Sequence, residues 1–80
     1  MSNGVWSFID YLNEDISNLK KLKEAAEKRL QEVQNWKDIP IDFKDEMEQA
    51  WLVVLKEYDD MIGHDLAMKE KLIEQVSTKN

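Results

Sequence analysis

The stretch that decides the fold is Lys37-Asp38-Ile39-Pro40-Ile41-Asp42, residues 37–42. Proline has no backbone N–H and a fixed φ, so a helix cannot continue through Pro40, and the residue before it is driven from helical angles. Asp42 is the predicted cap of the next helix, with Asp45 and Glu46 in a first turn whose dipole favours negative charge. Because the connection is short, the helices that flank it should be antiparallel neighbours.

Before the turn, apolar residues repeat every seven positions. The two core rows are Ile9, Ile16, Lys23 and Leu30, and Leu12, Leu19, Ala26 and Val33. This period of 3.5 predicts one helix over about residues 5–36. Ser7 and Asp10 match a capping box at its predicted start, and Asn3 is a competing cap one turn earlier. Lys23 either fixes the register of the seam or lays its stem along it with the ammonium in water.

After the turn, a broad apolar stripe runs in phase across Gly63. Its members are Phe43, Met47, Trp51, Val54, Leu55, Tyr58, Met61, Ile62, Leu66, Met68, Leu72, Ile73 and Val76. A chain that broke and restarted would rarely resume on the same face, so the phase favours one helix over about residues 42–77. A break at Gly63, with Asp65 capping a third helix, is the alternative.

The predicted fold class is therefore all-α, an antiparallel helical hairpin of two long amphipathic helices that form one domain over residues 1–80. Residues whose numbers sum to about 78 should face each other. This pairing places Trp51 over Ala25 and Ala26, a large side chain against two small ones, as close packing requires.

The hairpin is predicted to associate into a four-helix bundle, most simply as a homodimer. A chain of eighty residues buries little surface when it folds, so its stability as a monomer is marginal. Because it has no cysteine and only one histidine, disulfides and histidine-rich metal sites cannot stabilise it. Several apolar side chains also lie off the seam, which is typical of an interface. The predicted interface residues are Trp6, Tyr11, Trp51, Leu52 and Val53. The alternative is a curled hairpin that covers these side chains itself.

The charge narrows the choice of partners. The net charge is −6, from 17 acidic and 11 basic residues, which disfavours direct binding to nucleic acid or to an anionic membrane. No apolar run reaches the length of a membrane span, and the Met-Ser-Asn-Gly start lacks the order of a signal peptide, so we expect a cytoplasmic protein. The acidic run over residues 42–65 is either a solvated face or a surface for a basic partner.

No catalytic, cofactor-binding or metal-binding residues are predicted. His64, one turn after Asp60, suits an exposed i,i+4 contact. Glu24-x-x-Glu27 and Glu57-x-x-Asp60 resemble the E-x-x-E … E-x-x-D carboxylates of nucleotide pyrophosphohydrolases of the MazG type. That resemblance would imply Mg²⁺-dependent nucleotide hydrolysis, but the predicted pairing sets the two motifs two turns apart.

The function predicted from the sequence is a non-enzymatic protein-protein interaction module. It would self-associate and present an acidic, aromatic-containing surface to another protein, as an adaptor, an assembly factor or an inhibitor, for example of a nucleic-acid-binding enzyme. The alternative is the Mg²⁺-dependent nucleotide hydrolase.

Overall fold

The protein is a hairpin of two long helices. A computed structural model describes residues 3–78, and the side chains of residues 4–77. Helix α1 spans Asn3–Asn35 and helix α2 spans Ile41–Thr78, and the two pack against each other along their length. The predicted fold class is confirmed, with helix ends within two residues of those expected from the sequence.

The turn at Pro40 forms where it was predicted, but Asp42 is not the cap. The Lys44 N–H donates to the Pro40 carbonyl at 3.2 Å, which makes Pro40 the residue that accepts the first bond of α2. Asp42 lies inside the first turn instead, where its charge still favours the helix dipole. At the end of α1, the Trp36 N–H donates to the Val33 carbonyl at 3.1 Å and tightens the last turn.

The start of α1 differs from the prediction. The helix begins at Asn3, so Ser7 and Asp10 lie within it and do not form the predicted capping box. Short polar residues are tolerated inside a helix when their side chains reach solvent, and Ser7 is exposed. The side chain of Asn3, the competing cap, lies outside the described residues.

Helix α2 is continuous through Gly63, as the phase of the apolar stripe predicted. Asp65 therefore lies inside a helix and caps nothing. A Cβ built on Gly63 would meet no atom within 4 Å. The glycine is not required by close packing and costs only its intrinsic helix penalty, about 1 kcal/mol relative to alanine.

The core is a narrow seam drawn mostly from α1. Its buried side chains are Ile9, Leu12, Ile16, Leu19, Ala26 and Val33 of α1, with Ile62 of α2. Ile16, Leu19 and Ile62 form one cluster, against which Tyr58 packs. Helix α2 is less well buried because its inward rows include Lys44, Glu48, Asp65 and Lys69, all half-buried.

The ion pair between the helices lies one helical turn beyond the predicted pairing. Lys23 was expected opposite Leu55, but its ammonium meets Asp59, one helical turn further along α2. A helical side chain leans towards the N-terminus of its own helix, so in an antiparallel pair the side chains that meet belong to residues slightly further along each chain. Ala25 is exposed, so the predicted small-residue site is reduced to Ala26, which is buried.

The hairpin is much longer than it is wide. Its extents are 62 × 14 × 13 Å and its radius of gyration is 18.2 Å. A compact domain of this length has a radius of gyration of about 12 Å. A single hairpin thus has no second layer to cover its flanks.

Candidate protein-interaction surfaces

Many large apolar side chains remain exposed on the hairpin. They are Trp6, Phe8, Tyr11, Leu22, Trp36, Ile41, Phe43, Met47, Leu52, Val53, Met61, Leu66 and Ile73. They outnumber the buried core residues among the described side chains. The surplus of apolar surface predicted from the sequence is therefore present in the folded hairpin.

A shallow groove marks one side of the seam. Its volume is about 300 Å³, and it is lined by Lys20, Lys23, Glu24, Glu27, Asp59 and Ile62. Lys20 and Glu27 border the seam of α1 on the same side as Asp59 borders the seam of α2. Residues seven apart share this position, so Asp45, Leu52, Leu66 and Ile73 of α2 also lie on this side.

The acid excess is concentrated on this side, which we call the acidic face. Its acidic residues are Asp10, Glu24, Glu27, Asp42, Asp45, Asp59 and Glu70, and its lysines are Lys20 and Lys56. Across the groove, Lys23 Nζ lies 2.7 Å from Asp59 Oδ1, and this bond raises the pKa of Lys23. The stem of Lys23 lies on the seam while its ammonium is paired with Asp59 and partly hydrated, so the pair also marks the register.

The opposite side of the seam forms the apolar face. It is defined by the exposed side chains of Phe8, Tyr11, Leu22 and Trp36 on α1 and of Phe43, Met47 and Met61 on α2. The rings of Phe8 and Tyr11 stack with centroids 5.8 Å apart and an interplanar angle of 18°. This stacked aromatic pair holds apolar area in a fixed geometry at the surface.

The apolar face carries little net charge. Its acidic residues are Asp15, Glu32 and Glu57, and its basic residues are Arg29 and Lys71. Arg29 Nη1 donates to Glu32 Oε2 at 3.3 Å, so part of this charge is paired within α1. The two long sides of the hairpin therefore differ in both hydrophobicity and charge.

The structure does not gather the five predicted interface residues on one surface. Tyr11 lies on the apolar face, Trp6 and Leu52 lie on the acidic face, and Val53 lies on the outer side of α2. Trp51 is half-buried in the seam. The other exposed residues of the apolar face are Phe8, Leu22, Trp36, Phe43, Met47 and Met61, of which the three on α2 belong to the predicted apolar stripe. The spacing of Phe8, Leu22 and Trp36, fourteen residues apart, was a signal in the sequence that these three share one side of α1.

Asp65 and Asp15 place two carboxyl groups together at the seam. Oδ2 of Asp65 is buried without a donor, and the Asp15 carboxyl can bond to it only when one of the two is protonated. That hydrogen bond, the partial burial and the negative charge of Asp15 raise the pKa of Asp65, while neighbouring His64 lowers it. His64 is exposed, and its influence is secondary.

We expect Asp65→Asn to stabilise the hairpin at pH 7 and to flatten its pH dependence. Because the native pKa of Asp65 is raised, the folded state binds the proton more tightly than the unfolded chain. The contribution of Asp65 to the free energy of unfolding therefore grows as the pH falls from above its pKa in the folded state towards its pKa in the unfolded chain, about 4. This contribution is lost as the pH rises. Urea midpoints at pH 4 and pH 7 measure this slope. The exposed Asp10→Asn is the control; an equal flattening by both variants would contradict the assignment.

The carboxylates of the hydrolase alternative do not form a metal site. Glu24 and Glu27 line the groove beside Asp59, together with Lys20 and Lys23. Within residues 3–78, no three histidine, aspartate or glutamate side chains are grouped closely enough to hold a metal ion.

Neither helix is apolar enough over a sufficient length to cross a membrane within the described part of the chain. Comparison with protein-family models, with the sequences of curated proteins and with solved structures finds no match for this chain. The surfaces themselves therefore carry the functional proposal.

Proposed function

We propose that this protein is a non-enzymatic interaction module that self-associates and presents an acidic, aromatic-containing surface to another protein. The carrying observation is the large apolar surface that the folded hairpin leaves exposed. Soluble monomers rarely expose apolar patches larger than a few hundred Å², and larger ones mark interaction sites. The module acts in the cytoplasm, as an adaptor, an assembly factor or an inhibitor.

The accessible area supports self-association. The chain exposes 6469 Å², whereas a compact monomer of 9.5 kDa would expose about 5,000 Å². The difference is about 1,400 Å² per chain, more than the roughly 800 Å² that each partner buries in a standard protein-protein interface. A four-helix bundle made from two hairpins would supply the missing second layer.

The acidic face supports the proposed binding of another protein. It combines clustered carboxylates with Trp6 and Leu52, which are exposed among them. Complementary charge would steer a basic partner to this face, while the tryptophan would supply a buried anchor. The partner that fits this face is a protein with a basic surface, such as a nucleic-acid-binding enzyme. Nucleic acid itself does not fit, because its phosphates would be repelled by the carboxylates.

Sedimentation equilibrium at 1–200 µM tests self-association; we expect a reversible transition to a dimer, with a thermal midpoint that rises with protein concentration. A strictly monomeric chain with a constant midpoint would overturn the proposal.

Partner binding is tested by capture from host extract with wild type and with Asp45→Asn/Glu70→Gln. The matched control is Glu14→Gln/Glu46→Gln, which removes two charges from the outer sides of the helices. We expect only the first variant to lose a captured protein, and equal capture by all three would remove the role of the acidic face.

A further inference from the structure

We infer that the apolar face is the surface on which a second copy of this chain docks, leaving the acidic face free. This inference rests on the proposed self-association and specifies its surface and its occupant. The apolar face extends from Phe8 near the open end of the hairpin to Trp36 and Phe43 beside the turn, with Leu22 and Met61 at mid-length. Its exposed side chains are aromatic, Met and Leu, residue types that supply large contact area and adapt to a partner surface.

Charge favours a second copy on this face rather than on the other. Two copies joined through their acidic faces would bring together seven carboxylates from each chain, against two lysines from each. Like charges placed opposite each other at an interface cost several kcal/mol. The apolar face has nearly balanced charges, including the Arg29–Glu32 pair, so it can meet its own copy without this repulsion.

The area also suits a second copy. If each chain buries its excess of about 1,400 Å², the interface totals about 2,800 Å², within the 2,000–5,000 Å² range of permanent homodimers. A face that runs most of the 62 Å length of the hairpin is long enough to supply this area. A two-fold axis makes such an interface self-complementary, because the same patch serves both copies.

Met61 and Leu66 offer a matched pair for the test. They are neighbouring apolar residues of α2 with almost equal exposure, 43% and 42%, but they border opposite sides of the seam. Met61→Glu would place a carboxylate in the apolar face, and Leu66→Glu would place the same charge on the acidic face. Met61 also lies at mid-length, so it is central to the interface whichever way the second copy points.

We expect Met61→Glu to raise the dimer dissociation constant at least about 100-fold, because two-fold symmetry introduces the buried charge twice. Leu66→Glu should change the constant less than about threefold, since Leu66 lies on the acidic face, outside the proposed docking surface. Sedimentation equilibrium measures both constants, and circular dichroism confirms that the variants keep their helices. Leu22→Glu and Leu52→Glu repeat the comparison on α1 and α2, with exposures of 49% and 46%.

A second measurement avoids introducing charge. The chain has no cysteine, so Met61→Cys and Leu66→Cys each carry one nitroxide label. Above the dimer dissociation constant, we expect the label at position 61 to lose mobility and the label at position 66 to stay mobile.

The possible outcomes distinguish a failure of the proposed docking surface from a failure of the proposed self-association. Dissociation by Leu66→Glu with an intact Met61→Glu dimer would overturn the apolar face as the docking surface while self-association stands. A wild-type chain that remains monomeric would overturn both. Equal dissociation by both variants, with both labels immobilised, would also reject docking through one face.

Discussion

Replacing Leu12 by alanine is expected to lower the free energy of unfolding by about 2–5 kcal/mol, the range for truncating a buried leucine. Leu12 is the most deeply buried large side chain among the described residues, at 2% exposure. A domain of this size has a total stability of only about 4–12 kcal/mol. The variant should therefore lose at least about 10 °C in its thermal midpoint, followed by circular dichroism at fixed protein concentration.

Leu66→Ala is the control for this measurement, because Leu66 is exposed on the acidic face. It should change the free energy of unfolding by no more than about 0.5 kcal/mol. Equal losses for the two leucines would mean that the α1 seam is not the core of the hairpin. A loss confined to Leu12 would locate the core where the heptad pattern of α1 places it.

Local signals made the hairpin predictable from the sequence. Pro40 removes a donor and fixes its own φ, so the turn depends on one residue and on no tertiary contact. The continuity of α2 followed from phase, because the apolar residues on both sides of Gly63 occupy one face. The seam of α1 was equally clear, since its two core rows repeat without an offset.

The helix ends and the register were less predictable. Ser7 and Asp42 both match capping patterns, yet Ser7 lies inside α1 and Asp42 lies one residue after the start of α2. Local hydrogen bonding decides caps within a residue or two, and the same short side chains are also tolerated inside a helix. The register depends on how far the Lys23 side chain reaches to Asp59, which residue numbers alone do not contain.

The presence of exposed apolar surface was predictable from the sequence, but the assignment of residues to each face was not. A stripe as broad as that of α2 cannot be covered by one partner helix, so an excess of apolar surface was a sound prediction. The side on which Leu52 lies depends on the position of the seam of α2. That seam includes half-buried charged residues such as Glu48 and Lys69, which an apolar pattern does not reveal. The five residues therefore scatter over different sides of one hairpin.

Enlarging Ala26 is expected to cost about 1–3 kcal/mol, because Ala26→Leu adds three methylene equivalents to a packed seam. Ala26 is buried at 4% exposure, whereas Ala67 is exposed on the outer side of α2. Ala67→Leu should therefore leave the urea midpoint almost unchanged. If Ala26→Leu is equally harmless, the two helices are not closely packed at this level.

A double-mutant cycle then identifies the side chain that faces Ala26. The Lys23–Asp59 and Asp15–Asp65 pairs lie further along α2 than the predicted pairing, and the same offset applied to Ala26 leads us to expect Leu55, rather than Trp51, opposite it. Leu55→Ala should therefore recover more of the stability lost by Ala26→Leu than Trp51→Ala does, with a coupling of about 0.5 kcal/mol or more, because it vacates the volume that the new leucine needs. A larger coupling with Trp51 would instead restore the pairing derived from the sequence. The relative size of the two couplings thus decides the register independently of the surface ion pair.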